Sequence, residues 1–400
     1  MVRKKVLLVT GVFPPGVGGM QQYYHHLSRQ SGHDVTVLAP KYAGDEEFDA
    51  LQPYKIIRGP FIQNEGIDFT SWFRLFRYVR HAIRRERADV TIYGFVLIGI
   101  IGYVLKLFMG HKYMISTHGM DMLMFRRFVG LNYVIKLILR NADGVLTNSH
   151  FTKRYVEEYG VDPARIELVY PGVEDVYEKQ GKNAELIRKH GLEGKYVMLS
   201  VSRLVLRKGH DRVIESMPEV IRLIPNAVYL IIGDGPERGR LEQLAQQHGV
   251  ADRVQFLGNV HDSKLLNAYY NTCDQFLMVC RQLSNRDAEG FGIVYMEAAS
   301  AGIPVIAGRS GGAGEAVLDG ETGLLVDPNS PADIAAAVHR LRDDTALREK
   351  LTRQGYARAK GKFRYVFLAE TFDRYVGYVC AGKPHVKVKK KRKEIRNANI

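Results

Sequence analysis

Cysteine is scarce in this chain, and what there is forms no pattern. Cys273, Cys280 and Cys380 are the only three. The segment "NTCDQFLMVC" has neither a C-x-x-C nor nearby histidine partners, which excludes a disulfide framework and a structural zinc site. A reducing, cytoplasmic compartment is the expectation. Acidic charge is also short, 43 Asp and Glu against 57 Lys and Arg. Zinc-finger spacing, an aromatic RNA-binding signature and a helix-turn-helix are all missing, so the positive excess is not read as a nucleic-acid footprint. A secretory leader is not expected either. In "MVRKKVLLVTGVFPPG" the basic residues precede only "VLLVT" before a proline-glycine loop with no cleavage-like site. Long apolar runs are nearly absent. The one exception, Val90 to Gly110, "VTIYGFVLIGIIGYVLKLFMG", approaches the length of a bilayer span. Lys106 and its internal glycines favour a buried strand followed by a buried helix.

The 400 residues, 46% hydrophobic and 25% charged, suit a folded protein of two or three domains. Much of the formal charge of +14 lies in two places. One is the tail "KPHVKVKKKRKEIRN". The other is "WFRLFRYVRHAIRRER", Trp72 to Arg87, where aromatic and aliphatic positions recur at helical spacing against six arginines. Such a helix either rests on anionic lipid or buries its apolar face in the core and leaves its arginines in water.

Continuous apolar strands alternate with helices through both halves. The first half reads "KVLLVT", "DVTVLAP", "DVTIYGF", "KYMIST" and "DGVLTNS". The second reads "KYVMLSVSRL", "AVYLIIGDG", "RVQFLGNV", "QFLMVC" and "IPVIAG". That pattern predicts α/β architecture with two doubly wound, Rossmann-like domains whose parallel sheets are covered on both faces. The boundaries are read as 1–172 for the first domain, 173–194 for a linker, 195–365 for the second and 382–400 for a basic tail. Two such domains facing each other form a cleft at the carboxyl ends of their strands, so candidate site residues should follow strands.

They do. After the first strand, Gly18 and Gly19 in "FPPGVGGMQQYYHHL" precede a helix, whose N-terminal N–H groups and dipole favour an anion. In "SRLVLRKGHD", Arg203 and Lys208 leave a strand toward the cleft and suit a diphosphate, while Arg207 is read as a solvated charge. Gly233, Asp234 and Gly235 end a strand in "YLIIGDGPE" and border a nucleotide base, or form a plain β-to-α turn. His118 follows a strand in "STHGMDM", where a lone histidine is as often structural as functional. In "EGFGIVYMEAASAGIPVIAG", Glu289 emerges beyond a strand end and a helix opens near Gly292. The N–H groups of Phe291, Gly292 and Ile293 are expected to be free, and Glu297 is placed to hold a cis-diol. Two carboxylates for hydroxyls and two cations for phosphates are the parts that grip a nucleotide-sugar. No D-x-D follows a predicted strand, so no metal ligand is assigned.

These stretches, with "FLGNV" and "SGGAGEAVLDGETGLLV", resemble a retaining glycosyltransferase of family 4 with the GT-B fold. The likeness runs from about residue 5 to about residue 380. "SRLVLRKGHD" with "EGFGIVYMEA" is most similar to the phosphatidylinositol-mannoside mannosyltransferase branch and its bacterial polysaccharide relatives. The resemblance places donor phosphates on Gly19, Arg203 and Lys208, Glu289 beside the donor sugar and Glu297 on the ribose. It gives His118 the task of orienting the sugar, and it implies that a final helix, 366–381, crosses back to the first domain. The donor it implies is a GDP- or UDP-linked sugar, with no cofactor expected, and the acceptor it implies is a lipid-linked or saccharide glycan. The enzyme is expected at the inner face of the membrane, held there peripherally on anionic lipid. Gly314 replaces a proline common in the family, and "GMQQYYHH" lacks its frequent Glu-Arg. Two rival readings use the same parts: a sugar-nucleotide hydrolase or phosphorylase-like enzyme, and a non-catalytic lipid- or nucleic-acid-binding protein.

Overall fold

The computed structural model describes residues 2–59, 69–123 and 128–382. Two parallel sheets organise them. The first holds β1 (Lys5–Val9), β2 (Asp34–Pro40), β3 (Lys55–Gly59), β4 (Val90–Tyr93), β5 (Tyr113–Thr117), β6 (Gly144–Thr147) and β7 (Ile166–Leu168), in the order β3-β2-β1-β4-β5-β6-β7. The second holds β8 (Tyr196–Val201), β9 (Ala227–Ile232), β10 (Val254–Gly258), β11 (Gln275–Met278), β12 (Val305–Gly308) and β13 (Leu324–Val326), in the order β10-β9-β8-β11-β12-β13. Central strands such as β4 and β11 are buried at every residue. This is why they read as unbroken apolar runs rather than alternating ones. Strand order reverses between β1 and β4, and again between β8 and β11. At such switch points neighbouring connections leave in opposite directions and a crevice opens beyond the strand ends.

The long apolar run divides as expected. β4 is followed by the helix Gly99–Met109, and no helix among the described residues is long and apolar enough to cross a membrane. The arginine-rich segment is the helix Phe69–Glu86. Leu75, Val79, Ala82 and Ile83 sit in the first-domain core, while Arg74, Arg77, Arg80, Arg84 and Arg85 are exposed. Three short strands, β3, β7 and β13, have no counterpart in the sequence reading.

Residues 173–194 contain the helix Ala184–His190, capped by Asn183 through Leu186 N and packed on the helix Ser263–Thr272. The helix Tyr365–Ala381 lies on the first domain. Leu368, Phe372, Tyr375 and Val376 join the cluster around β1 and β2, and Tyr375 Oη donates to Arg165 O at 2.7 Å. The basic tail beyond Gly382 lies outside the described residues.

Candidate active site

A cleft of about 460 Å³ lies between the sheets, bordered by Gly18, Gly19, Arg203, Gly233, Asp234 and Glu297. On the first-domain side, β1 runs through a loop into the helix Gly19–Gln30, with Gly18 at its N-cap. A Cβ built on Gly19 would stand 4.0 Å from Ile293 Cγ2 across the cleft. Ile293 opens the helix Ile293–Ser300, with Gly292 as N-cap and no side-chain cap. Two helix N-termini therefore face each other, and apart from Tyr295 N, which donates to Gly292 O at 3.1 Å, their first-turn N–H groups lack intrahelical partners. That is a favourable setting for an anion.

The Arg203 loop is held by the turn after β9. Leu204 N donates to Asp234 O at 2.9 Å, and Gly233 N donates to Gly258 O at 2.7 Å. Gly233 has φ of 132°, and a Cβ there would collide with Ser202 O. A Cβ on Gly235 would likewise collide with Leu204 O. Only glycine admits this backbone approach. The 233–235 turn thus supports the cation loop as well as bordering the cleft through Gly233 and Asp234.

Lys208 ends the tight turn Leu206–Lys208. Its Nζ donates to Glu289 Oε2 at 2.5 Å, and Arg207 Nη1 reaches the same oxygen at 3.0 Å. Arg207 Nε also lies 3.3 Å from Asp287 Oδ1. Arg207 is therefore not a solvated charge: the tight turn directs both neighbouring cations into the 287–289 loop. Burial alone pushes the Glu289 carboxyl up, but Lys208 and then Arg207 reverse this and hold it at about 2. Cys280 Sγ sits 3.7 Å from Glu289 Oε2, and burial raises its thiol to about 12, so it stays protonated.

Glu297, a turn into its helix, has the opposite setting. Burial pushes its carboxyl up to about 7, Glu174 adds to the rise, and Tyr270 Oη opposes it by donating to Oε2 at 2.8 Å. Phe291, just before this helix, is buried against Tyr170 at 5.1 Å and Phe363 at 5.4 Å between ring centroids.

His118 follows β5 on the first-domain side. Its Nε2 is 2.9 Å from Tyr24 Oη, its ring meets Tyr23 edge-on, and burial lowers its pKa to about 4, leaving a neutral imidazole. Asp121 shapes this loop by accepting from Thr117 Oγ1 at 2.7 Å and Gly119 N at 3.1 Å. A Cβ on Gly290 would lie 3.0 Å from His118 O. The Glu289 loop thus closes against the His118 loop.

Residues that the sequence reading did not assign to the site complete the lining: Glu174, Tyr177, Tyr365, Asn259, Val260, His261 and Ser263. Glu174 falls in the segment 173–194 that the sequence marks only as a linker, and Tyr270 carries no local signal at all. Among the described residues no group of three or more His, Cys, Asp or Glu side chains is placed to hold a metal ion.

Residues 17–176 match the family described as Glycosyltransferase Family 4, and residues 182–358 match Glycosyl transferases group 1. The chain is 34% identical, over 85% of its own length and 89% of the relative's, to a GDP-mannose-dependent alpha-(1-6)-phosphatidylinositol monomannoside mannosyltransferase of Mycolicibacterium smegmatis. A GDP-mannose-dependent monoacylated alpha-(1-6)-phosphatidylinositol monomannoside mannosyltransferase of Corynebacterium glutamicum is 29% identical, over 92% of this chain and 96% of that one. In fold it is similar to Anabaena Alr3699/HepE, crystallised with UDP and glucose. The TM-score is 0.79 at 20% identity, covering 94% of this chain and 100% of that one.

Proposed function

The chain belongs to the family 4, group 1 glycosyltransferases with the GT-B fold, and from that premise we propose that it moves a mannosyl unit from GDP-mannose to a lipid-linked acceptor of the phosphatidylinositol-mannoside kind, retaining the anomeric configuration and using no metal. The observation that carries this reading is the convergence of Gly18, Gly19, Arg203 and Glu297 on one interdomain cleft. The donor and acceptor classes rest on the relatives, whose names specify GDP-mannose and phosphatidylinositol monomannoside. A UDP-linked donor and a polysaccharide acceptor are the nearest alternatives.

In this reading the donor diphosphate lies between the two helix N-termini. Arg203 supplies a fork of donors and Lys208 a compact charge. Lys208 has three N–H bonds to give, so a phosphate oxygen shares it with Glu289. Glu297 accepts from the ribose hydroxyls. Glu289, with Phe291, Gly292 and Ile293 beside it, meets the sugar hydroxyls, and neutral His118 orients the sugar from the other domain. The acceptor oxygen bonds to the anomeric carbon on the face that the diphosphate leaves. As the carbon–phosphate-oxygen bond breaks, that oxygen takes the acceptor proton, so no protein nucleophile is required. Arg203, Lys208 and the helix N–H groups stabilise the growing charge on the leaving group, which is where fixed donors accelerate a reaction most.

The test is transfer from radiolabelled GDP-mannose or UDP-glucose to vesicles containing phosphatidylinositol monomannoside, with and without EDTA, and with the product anomer read by NMR. The expected result is an α-linked mannolipid from GDP-mannose alone, insensitive to EDTA. Transfer only from the UDP donor, an inverted product or an absolute need for magnesium or manganese would each overturn the corresponding part.

A further inference from the structure

Glu315 belongs to the second domain, on the short helix Ala313–Ala316, yet its carboxylate is spent on the first. Oε2 accepts from His150 N at 2.7 Å and Oε1 from Phe151 N at 2.7 Å. These are the first two amides of the helix His150–Glu158. That helix has its own cap, Ser149, whose Oγ takes Thr152 N at 3.0 Å. The cap and the foreign carboxylate therefore divide the open amides between them. Tyr170 Oη, near the end of the first domain, donates to Glu315 Oε2 at 3.1 Å. A carboxylate spanning two amides at the positive end of a helix makes charge-assisted bonds of defined geometry.

The same few residues hold the Glu289 loop. Gly312 N donates to Glu289 O at 2.7 Å. A Cβ on Gly312 would collide with Gly290 O, so this backbone lies directly on the loop. On its far side Gly290 meets the first domain, where an added Cβ would stand 3.0 Å from His118 O and 3.1 Å from Asn148 Nδ2. Asn148 immediately precedes the helix cap, and its Oδ1 accepts from Thr152 Oγ1 at 2.7 Å. One continuous set of contacts therefore runs from Glu289 through Gly312 to Glu315, across to His150, and back through Asn148 to Gly290.

We propose that Glu315 is a positioning residue, an interdomain catch whose carboxylate grips the first two amides of the helix His150–Glu158 and so holds the Glu289 loop against the His118 loop in the closed state. The proposal rests on the glycosyl-transfer reading for its kinetic consequence. Donor groups Arg203, Lys208 and Glu297 all belong to the second domain, so losing the catch leaves most of donor binding in place. What it loosens is the approach of His118 and the acceptor side, and small misplacements at a reacting centre are costly to kcat.

The test uses the full chain with Glu315→Ala, His150→Pro and the double variant. Proline suits the first position of a helix and removes one of the two N–H groups that the catch grips, together with the imidazole that meets Tyr170 edge-on, so this variant weakens the same contact from the opposite domain. Expected are a fall in kcat of about tenfold or more in each single variant, donor KM within about threefold, and a double variant no worse than the poorer single, the signature of one shared contact. Small-angle X-ray scattering with saturating GDP should show compaction of the unsubstituted protein and a reduced change in both variants. Scattering reads closure without requiring transfer, so a failure of the catalytic reading is separable from a failure of the catch. Normal kcat with normal compaction in either variant, or losses that multiply in the double variant, would overturn the proposal. Should Glu315→Ala fail to fold, His150→Pro decides alone.

Discussion

Glu289 and Glu297 share one loop and helix, yet their surroundings drive their carboxyls apart, to about 2 and about 7 from an ordinary 4.5. The consequences for stability have opposite signs. Glu289 stays ionised in the folded protein at a pH where the unfolded chain has taken up its proton. Its contribution is present above about 4.5 and is lost as the pH falls toward 2. Glu297 keeps a proton that the unfolded chain releases, so its effect is a loss of stability as the pH rises from about 4.5 through 7. Glu297→Gln should therefore raise Tm at pH 8, by roughly 2–4 °C per kcal/mol relieved in domains of this size, and give no gain at pH 4, while donor KM rises. Glu289→Gln should lower both Tm at pH 7 and kcat. Melting curves across this range, with kinetics alongside, check both, and identical behaviour of the two variants would contradict separate roles. At the proposed phosphate end, Lys208→Ala and Arg203→Ala should each cut turnover by about 100-fold, the scale of one lost charge partner in a transition state. Only Lys208→Ala should also move the acid unfolding limb upward, because Lys208 and not Arg203 bonds Glu289. The cations and carboxylates were legible because they follow strands whose apolar runs are unmistakable. Arg207 on Glu289, 82 positions apart, and Tyr270 on Glu297 were not, since each partner sits on a segment that only the folded sheet brings near.

At the scale of elements, the three strands without a counterpart in the sequence reading lie at sheet edges: β3 and β7 close the first sheet, β13 one side of the second, whereas the fourth edge strand, β10, is legible although only partly buried. An edge strand needs one partner and tolerates polar residues, so "KIIRG" and "IEL" carry too little apolar signal, and "LLV" is only three residues long. The final helix shows the reverse case, an element plain in sequence whose destination is set by tertiary contacts. Asp373 is central to that docking: Oδ1 accepts from Ser31 Oγ at 2.5 Å, Oδ2 from Gly32 N at 2.7 Å, and its carbonyl lies 3.0 Å from His33 Nε2. Asp373→Ala removes the acceptor for two donors at the end of the helix Gly19–Gln30, and lost bonds of this kind cost about 1–3 kcal/mol. Denaturant unfolding should show a loss of that size, with kcat at 25 °C little changed because Asp373 lines no part of the cleft. A collapse of activity with unchanged stability would mean that the helix takes a direct part in catalysis.

For the whole molecule, the proposed reaction raises the question of where a soluble donor would meet a lipid-linked acceptor. The helix Phe69–Glu86 keeps Leu75 and Val79 in the core, so its exposed arginines are not structural partners of that core. Phe73, 62% exposed, shares its outer face. The helices Gly99–Met109 and Val129–Asn141 neighbour it in turn, and they leave Phe108 and Val129 more than four-fifths exposed, at 82% and 86%. Exposed arginines and exposed apolar side chains on helices of one domain supply the two attractions a peripheral protein uses, charge and apolar insertion. Each engaged Lys or Arg contributes about 1 kcal/mol near an anionic leaflet and fades within a Debye length. Binding through four to six such charges would be useful yet reversible in salt. The first domain could then stay docked while the second exchanges donor and product. Co-sedimentation with phosphatidylglycerol-containing vesicles should be strong at low salt, weak at high salt and absent on neutral vesicles. Arg74→Glu combined with Arg77→Glu and Arg84→Glu should abolish it, and Phe108→Ser should weaken it at every salt concentration because apolar insertion is not screened. A chain stopped after Lys383 separates the helix from the basic tail: retained binding assigns the surface to the first domain, whereas loss assigns it to the tail. If the full chain shows no preference for anionic vesicles at low salt, peripheral docking on anionic lipid fails, and the acceptor must reach the cleft from solution.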